Sequence, residues 1–303
     1  MSMPATTVRS SIGDFLTRLT VKTGRLPLPF GWPGRWVGRR YGVPMDCGLR
    51  LVIHNPSEYI QRCVVRRGVY EPTIIRVFRA VLGPDDVMFD VGGNIGHHSL
   101  VAASCGARVH TFEPLPRLFD RIQENVTFNA LMSRITINNT AVGAEVGVAT
   151  LNEVERVDDG SHSIIVGVAG KSHRAIEVPI ITLDNYVQSG RAAVPHLIKI
   201  DVEGYEARVL DGAVGILSSA QPPFLVIETA DRLADAIGES ARSVLDRLFR
   251  AGFRIWRVPE NSNRLERVAE HEISPALNNY FAAHPSHARY VQILQALSID
   301  SMN

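Results

Sequence analysis

The sequence predicts an α/β fold built on a mostly parallel sheet with helices on both faces. Three observations predict it. Short, continuously apolar segments recur along the chain. They alternate with segments of helical periodicity. The first of them runs into a glycine-rich turn. Strands that are apolar throughout are expected where both sheet faces are buried, and that is the parallel arrangement.

The elements follow in order. Ile12, Phe15, Leu16 and Leu19 sit at helical spacing within residues 1–24 and predict an amphipathic helix. The next stretch, GRLPLPFGWPGRWVGRRYGVP, is too rich in Pro and Gly for a regular helix. It reads either as a packed surface loop or as a membrane-surface contact. LRLVIH reads as a strand, and residues 72–82 as a helix with Pro72 in its first turn. From residue 87 the rhythm is regular: strand 87–91, helix 95–104, strand 108–112, helix 116–129, strand 135–140. It resumes with strand 197–201, helix 207–218, strand 224–228, helix 240–251 and strand 253–258. Between these two runs, residues 143–182 are rich in Val, Ile, Ser and Gly and read as a β-hairpin insertion. The chain divides into a basic extension with a lead-in or lid, residues 1–80, and the main domain, residues 81–303.

Composition narrows the function classes. The 303 residues are 45% hydrophobic, with a formal net charge of +1. That is ordinary for a globular chain and excludes a disordered one. The charge is uneven: residues 1–80 hold thirteen Lys and Arg against four Asp and Glu, a net +9, and the remainder holds nineteen against twenty-seven, a net −8. A basic front end hints at an anionic partner, or is simply a solvated face. Cys47, Cys63 and Cys105 form no CxxC pair and are odd in number, which fits neither a disulfide framework nor a structural zinc site. No apolar run approaches the length of a membrane span, and the first residues lack a signal-peptide core, so a reducing cytoplasm is expected. The basic, Trp-containing stretch at 32–40 lies away from the motifs below, so no nucleic-acid partner is expected.

DVGGNIGHHS, residues 90–99, joins the first main strand to its helix. Ligands of parallel sheets sit beyond the carboxyl ends of the strands. Asp90 ends the strand, Gly92 permits a turn, Asn94 tolerates a left-handed backbone, and Gly96 lets the helix approach closely. The glycine spacing is not the G-x-G-x-x-G of a dinucleotide site. Glu113 ends the second strand, where an acid can accept hydrogen bonds from both hydroxyls of a ribose.

In order, DVGGNIGHHSL, TFEPLPRLFDRIQENVTFN, ITLDNYV, HLIKIDVEGYEARVLDGA and FLVIE resemble the FkbM family of S-adenosylmethionine-dependent methyltransferases. Gly93 stands where alanine is usual, and GVYEP and NNYFAAHP also fit. The resemblance covers about residues 60–285. It implies a Rossmann-like methyltransferase fold of about seven strands and S-adenosylmethionine as cofactor. It also implies O-methylation of a hydroxyl on a small molecule: a sugar, a glycan, a glycolipid or a polyketide-type acceptor. The methionine part of the cofactor is implied near Asp90, Gly92, Asn94 and Gly96, the ribose at Glu113, and the adenine near Asn139 and Ala141. Asp201 is implied beside the transferred methyl. His97 and His98 replace an aromatic often found there. They read either as core or capping residues or as polar contacts.

The sulfonium already activates its methyl, so the protein's task is alignment and acceptance of a proton. KIDVEG supplies Asp201 and Glu203 as the catalytic candidates. If the strand geometry persists, alternation points both the same way, with Lys199 in the same parity. The competing reading has Asp201 bind the cofactor's ammonium and Glu203 cap the next helix. His162 in DDGSHS is a further candidate base. Asp201 and Glu228 end neighbouring strands and are the acids a magnesium ion would use, but no ligand spacing is diagnostic and no metal is assigned. An N-methyltransferase and a non-catalytic S-adenosylmethionine-binding protein remain as alternatives. For residues 1–48, peripheral contact with an anionic membrane surface at its inner face is weighed against a lid over the cofactor.

Overall fold

The computed structural model describes residues 41–154, 173–229, 231–235, 238–260 and 264–299. The expected helix in residues 1–24, most of the Pro/Trp/Arg stretch and His162 lie outside them. A short hairpin, β1 (Val43–Pro44) and β2 (Arg50–Leu51), opens the described chain, so only two residues of LRLVIH form a strand. α1 (Tyr59–Arg67) and α2 (Pro72–Val81) follow, with Pro72 in the first turn of α2 where its missing N–H costs nothing.

The regular part is β3 (Val87–Val91), α3 (His97–Ser104), β4 (Arg108–Phe112), α4 (Pro116–Phe128) and β5 (Ile135–Asn138). The insertion is β6 (Ala141–Val142), β7 (Gly147–Val154) and β8 (His173–Ile181), a three-stranded sheet in which β7 and β8 pair antiparallel as the expected hairpin. α5 (Leu183–Gln188), β9 (Leu197–Ile200), α6 (Glu206–Asp211), α7 (Val214–Leu217) and β10 (Phe224–Thr229) come next. The chain closes with α8 (Asp231–Ala234), α9 (Ala241–Arg250), β11 (Arg254–Val258), β12 (Glu266–Val268), β13 (Asn278–Ala283) and α10 (Tyr290–Ala296).

The main sheet has the order β12-β11-β13-β10-β9-β3-β4-β5. β10, β9, β3, β4 and β5 pair in parallel, whereas β13 runs antiparallel between β10 and β11, and β12 is antiparallel to β11. The fold class is the expected one, with eight strands and a mixed end in place of about seven. The added strand is the polar, short β12, which covers the edge of β11. The single helix expected at 207–218 is two. It breaks at Gly212, where a Cβ would overlap the Gly143 carbonyl oxygen.

Alternation splits the core into two layers. Met88, Val109, Leu197, Val226 and Phe281 pack with α1, α2, α3, α4 and α10. Phe89, Phe112, Ile198, Leu225 and Ile227 pack with α5, α6, α7 and α9. The same parity puts Asp90, Lys199, Glu228 and Asn279 on the first face. They occupy four adjacent strands, with Asp90 opposite Lys199 and Glu228 opposite Asn279.

Candidate active site

The loop after β3 is shaped by close approach. Gly92 has φ +84°, and a Cβ there would overlap the Asp201 carbonyl oxygen. Only glycine therefore lets β3 and β9 end side by side. Asn94 is left-handed at φ 50°, as its residue type allows, and Gly96 at φ +83° packs against Ile122 of α4.

Glu113 is buried at the end of β4. Its Oε2 accepts the Asn94 N–H at 2.9 Å, and its Oε1 accepts the Leu115 N–H at 3.0 Å. Burial pushes its carboxyl up to about 7, against the pull of these two N–H groups. A cleft of about 410 Å³ is lined by Gly92, Asn94, Glu113, Asp201, Val202 and Glu203. A second, apolar cleft of about 400 Å³ shares Gly92 and Val202 with it. It is walled by Phe112, Pro114, Ala141 and, from the hairpin insertion, Leu151 and Ile180.

The expected site residues thus fall on one end of the sheet, in different ways. Gly92, Asn94, Glu113, Asp201 and Glu203 line the first cleft, and Ala141 the second. Gly96 supports the loop from behind. Asp90 is fully buried, and its Oδ2 accepts the Ser99 hydroxyl at 2.6 Å. Asn139 is exposed, and its amide donates to the carbonyls of Glu113 and Pro114 at 2.8 and 3.1 Å, tying β4 to the end of β5. The alternation expected from Asp201 to Glu203 does not persist. The strand ends at Ile200, and Glu203 is left-handed at φ 56°. Glu206 closes this turn, its Oε1 accepting the Val202 and Gly204 N–H groups at 3.2 and 3.0 Å.

Around Asp201 lies a polar cluster. Lys199 Nζ donates to Asp201 Oδ2 at 2.9 Å, and Asp201 is hydrogen-bonded to Glu228. Asn279 Nδ2 donates to Glu71 Oε1 at 3.1 Å and reaches Glu228 Oε1 at 3.5 Å. Glu71 Oε2 lies 3.1 Å from His98 Nε2, off the line a hydrogen bond needs. Tyr70 packs against both His97 and His98.

Burial disfavours an ionised Asp201, yet the Lys199 ammonium and the hydrogen bonds from Lys199 and Glu228 hold its carboxyl below the usual range. Burial and the neighbouring Asp201 push Glu228 strongly up. Burial lifts Glu71 to about 7 and drives His98 down to about 3. His97 and His98 are both buried, and burial disfavours their charged forms. Among the six non-glycine residues with a left-handed backbone in the described residues, Glu71, Asn94 and Glu203 converge here. Strained backbone of this kind clusters at functional sites.

Sequence reasoning noted GVYEP and NNYFAAHP only as motifs. It assigned nothing to Tyr70, Glu71 or Asn279, and considered Glu228 only as a metal ligand. The signal was the acid in GVYEP, but nothing local says that it folds over β9 and β10.

The model of the methyltransferase FkbM domain matches residues 90–255. The chain is 30% identical over 158 residues to the hexuronic acid methyltransferase AglP of Haloferax volcanii, covering 52% of this chain and 62% of that protein. It is 29% identical over 182 residues to the 31-O-demethyl-FK506 methyltransferase FkbM of Streptomyces tacrolimicus, covering 51% of this chain and 65% of that one. The chain thus spans less than two thirds of the length of these relatives. Among solved structures, the precorrin-6y C5,15-methyltransferase from Geobacter metallireducens overlays loosely. Its TM-score is 0.39 and its identity 12%, over 70% of this chain and 88% of that one.

Proposed function

Because the chain belongs to the FkbM methyltransferase family, we propose that it is an S-adenosylmethionine-dependent methyltransferase acting on a hydroxyl of a sugar-, glycolipid- or polyketide-type small molecule. The observation that carries this is the buried carboxylate of Glu113. Two backbone N–H groups hold it in the lining of a cleft that Asp201 also lines. The residues present fit the cofactor's chemistry: an acid for a diol, an apolar slot for a flat base, and an ionised acid for a cationic end.

In this reading Glu113 accepts hydrogen bonds from the two ribose hydroxyls. Pro114, Ala141, Val142 and Val202 bury the adenine beside the hairpin insertion. The loop at Gly92, Asn94 and Gly96, backed by Asp90, shapes the methionine end. Bound S-adenosylmethionine supplies a methyl already activated by the sulfonium. The chain's own contribution is to hold an acceptor oxygen in line with that methyl and to accept the hydroxyl's proton. Asp201 and Glu203 line the cleft where that oxygen would sit, and the Lys199 ammonium favours the ionised form of Asp201. The names of the two relatives, one a hexuronic acid methyltransferase and one a 31-O-demethyl-FK506 methyltransferase, support a sugar or polyketide acceptor. Peripheral docking of residues 1–48 on an anionic membrane surface belongs to the same reading, and their charge supports it.

Calorimetry tests the cofactor site. One S-adenosylmethionine should bind per chain, and Glu113→Ala should weaken it by about 1–3 kcal/mol through loss of a charged acceptor. Tight NADH binding without S-adenosylmethionine binding overturns the reading.

A further inference from the structure

The polar cluster has a charge imbalance that ordinary packing does not explain. On the face toward α2 and α3, strand register aligns Asp90, Lys199, Glu228 and Asn279, and Glu71 folds over them from the turn before α2. Among the described residues, the groups facing Glu228 are Lys199 on β9, Asp201 just after it, Asn279 on β13, and Tyr70 and Glu71 ahead of α2. The imidazoles of His97 and His98 on α3 stand behind Glu71. Four carboxyls, Asp90, Glu71, Asp201 and Glu228, thus share the one Lys199 ammonium among the described residues. Lys199 makes its ion pair with Asp201 at 2.9 Å and acts on Glu228 only from further off, and no ion pair joins Glu228 to a cation among the described residues. Like charges this close in a largely buried site cannot all ionise.

We propose that Glu228 is the second carboxyl of a proton-accepting pair with Asp201, and that it releases its proton when the cationic cofactor enters the cleft. The inference rests on the cofactor reading above. Without a cationic ligand, Glu228 keeps its proton and donates it to Asp201, and the raised proton affinity of Glu228 agrees with this. Bound S-adenosylmethionine, whose sulfonium and ammonium outweigh its carboxylate by one charge, would supply positive charge near Asp201, and the Glu228 proton would leave to solvent. The pair is then fully ionised when the acceptor arrives. As the acceptor oxygen forms its bond to the methyl carbon, the carbon–sulfur bond breaks and sulfur keeps the electron pair. The hydroxyl proton passes to the Asp201–Glu228 pair. The product thioether has lost its positive charge, which returns the pair to its proton-holding state. Glu71, tied through Asn279, is a positioning residue for Glu228.

The test is proton-linked calorimetry on the full chain at pH 7.5. S-adenosylmethionine and S-adenosylhomocysteine are titrated in buffers of different ionisation enthalpy. Wild type should release about one more proton with S-adenosylmethionine than Glu228→Gln does. It should also release more than it does with the uncharged-sulfur product. Glu228→Gln imitates the protonated carboxyl and keeps a donor toward Asp201, so it should still bind the cofactor. Infrared difference spectra of wild type alone, cofactor-bound minus free, should show loss of a protonated carboxyl band. That second measurement holds even if the variant does not fold. Cofactor binding with the same proton count in wild type and variant, or with no loss of the infrared band, overturns the proposal. Absence of any cofactor binding overturns the cofactor reading itself, which is a different result.

Discussion

Gly93 stands where alanine is usual in this motif, and Thr111 supplies a reason. A Cβ on Gly93 would overlap the Thr111 hydroxyl oxygen and press on Ile122. Gly93→Ala alone should therefore cost about 1–3 kcal/mol of stability as overpacking. Adding Thr111→Ala, which removes the blocking hydroxyl, should recover most of it in a double-mutant cycle read by chemical denaturation. Purely additive losses contradict this account. A second residue-scale expectation concerns Glu206. Burial lifts its carboxyl from 4.5 to about 7 in the folded chain, against the pull of the Gly204 and Val202 N–H groups. Between those values the folded chain holds a proton that the unfolded chain has lost. The Glu206 contribution is therefore present below pH 4.5 and lost as pH rises through about 7. Glu206→Gln should flatten that fall, as seen in denaturation midpoints across this range. An unchanged slope places the titration elsewhere.

Two distant elements meet here through glycine backbone. The turn leading into the hairpin insertion and the break between α6 and α7 touch at Gly143 and Gly212, where a Cβ on Gly212 would overlap backbone. Backbone cannot swing aside as a long side chain can. Gly212→Ala should lower stability by about 1–3 kcal/mol. Because Ile180 of β8 and Ala141 line the apolar cleft beside this contact, it should also weaken S-adenosylmethionine binding in calorimetry. A loss of stability with cofactor affinity intact would show that the hairpin is no wall of the base slot. The periodicity of residues 207–218 reads as one helix, and the two short helices follow from this contact, which lies 69 residues away in the chain. Glu203 is a similar case. Strand alternation predicted its direction until the chain turned left-handed at the end of β9.

At the scale of the whole molecule, the basic front end and the acidic body remain to be connected. Among the described residues no helix is long and apolar enough to cross a membrane. If residues 1–48 dock on an anionic surface, each basic residue near the lipid contributes about 1 kcal/mol. Co-sedimentation with anionic vesicles should then be strong at low salt, weak at high salt, and absent after deletion of residues 1–48. No binding at low salt, together with lost S-adenosylmethionine affinity on deletion, favours the lid. One end of the main sheet carries the departure from pure parallel pairing. β13 inserts antiparallel between β10 and β11, and by doing so delivers Asn279 beside Glu228.

What the sequence determined by itself is the local part of this architecture. Apolar runs placed β3, β4, β5, β9, β10 and β11, and helical periodicity placed α2, α3, α4 and α9. The alternation of the two called for a mostly parallel sheet. The glycine loop and Glu113 were legible because a ligand at a strand's end needs glycine and an acid within a short span of chain. The tertiary structure decided everything that depends on register between distant segments. It brought Tyr70 and Glu71 over β9, set Glu228 opposite Asn279, and put Lys199 beside Asp201. It also split one expected helix and turned Glu203 out of its strand parity. The reason is physical: periodicity is a property of neighbours in the chain, whereas proton sharing among buried carboxyls depends on distances of a few ångströms between residues far apart in sequence.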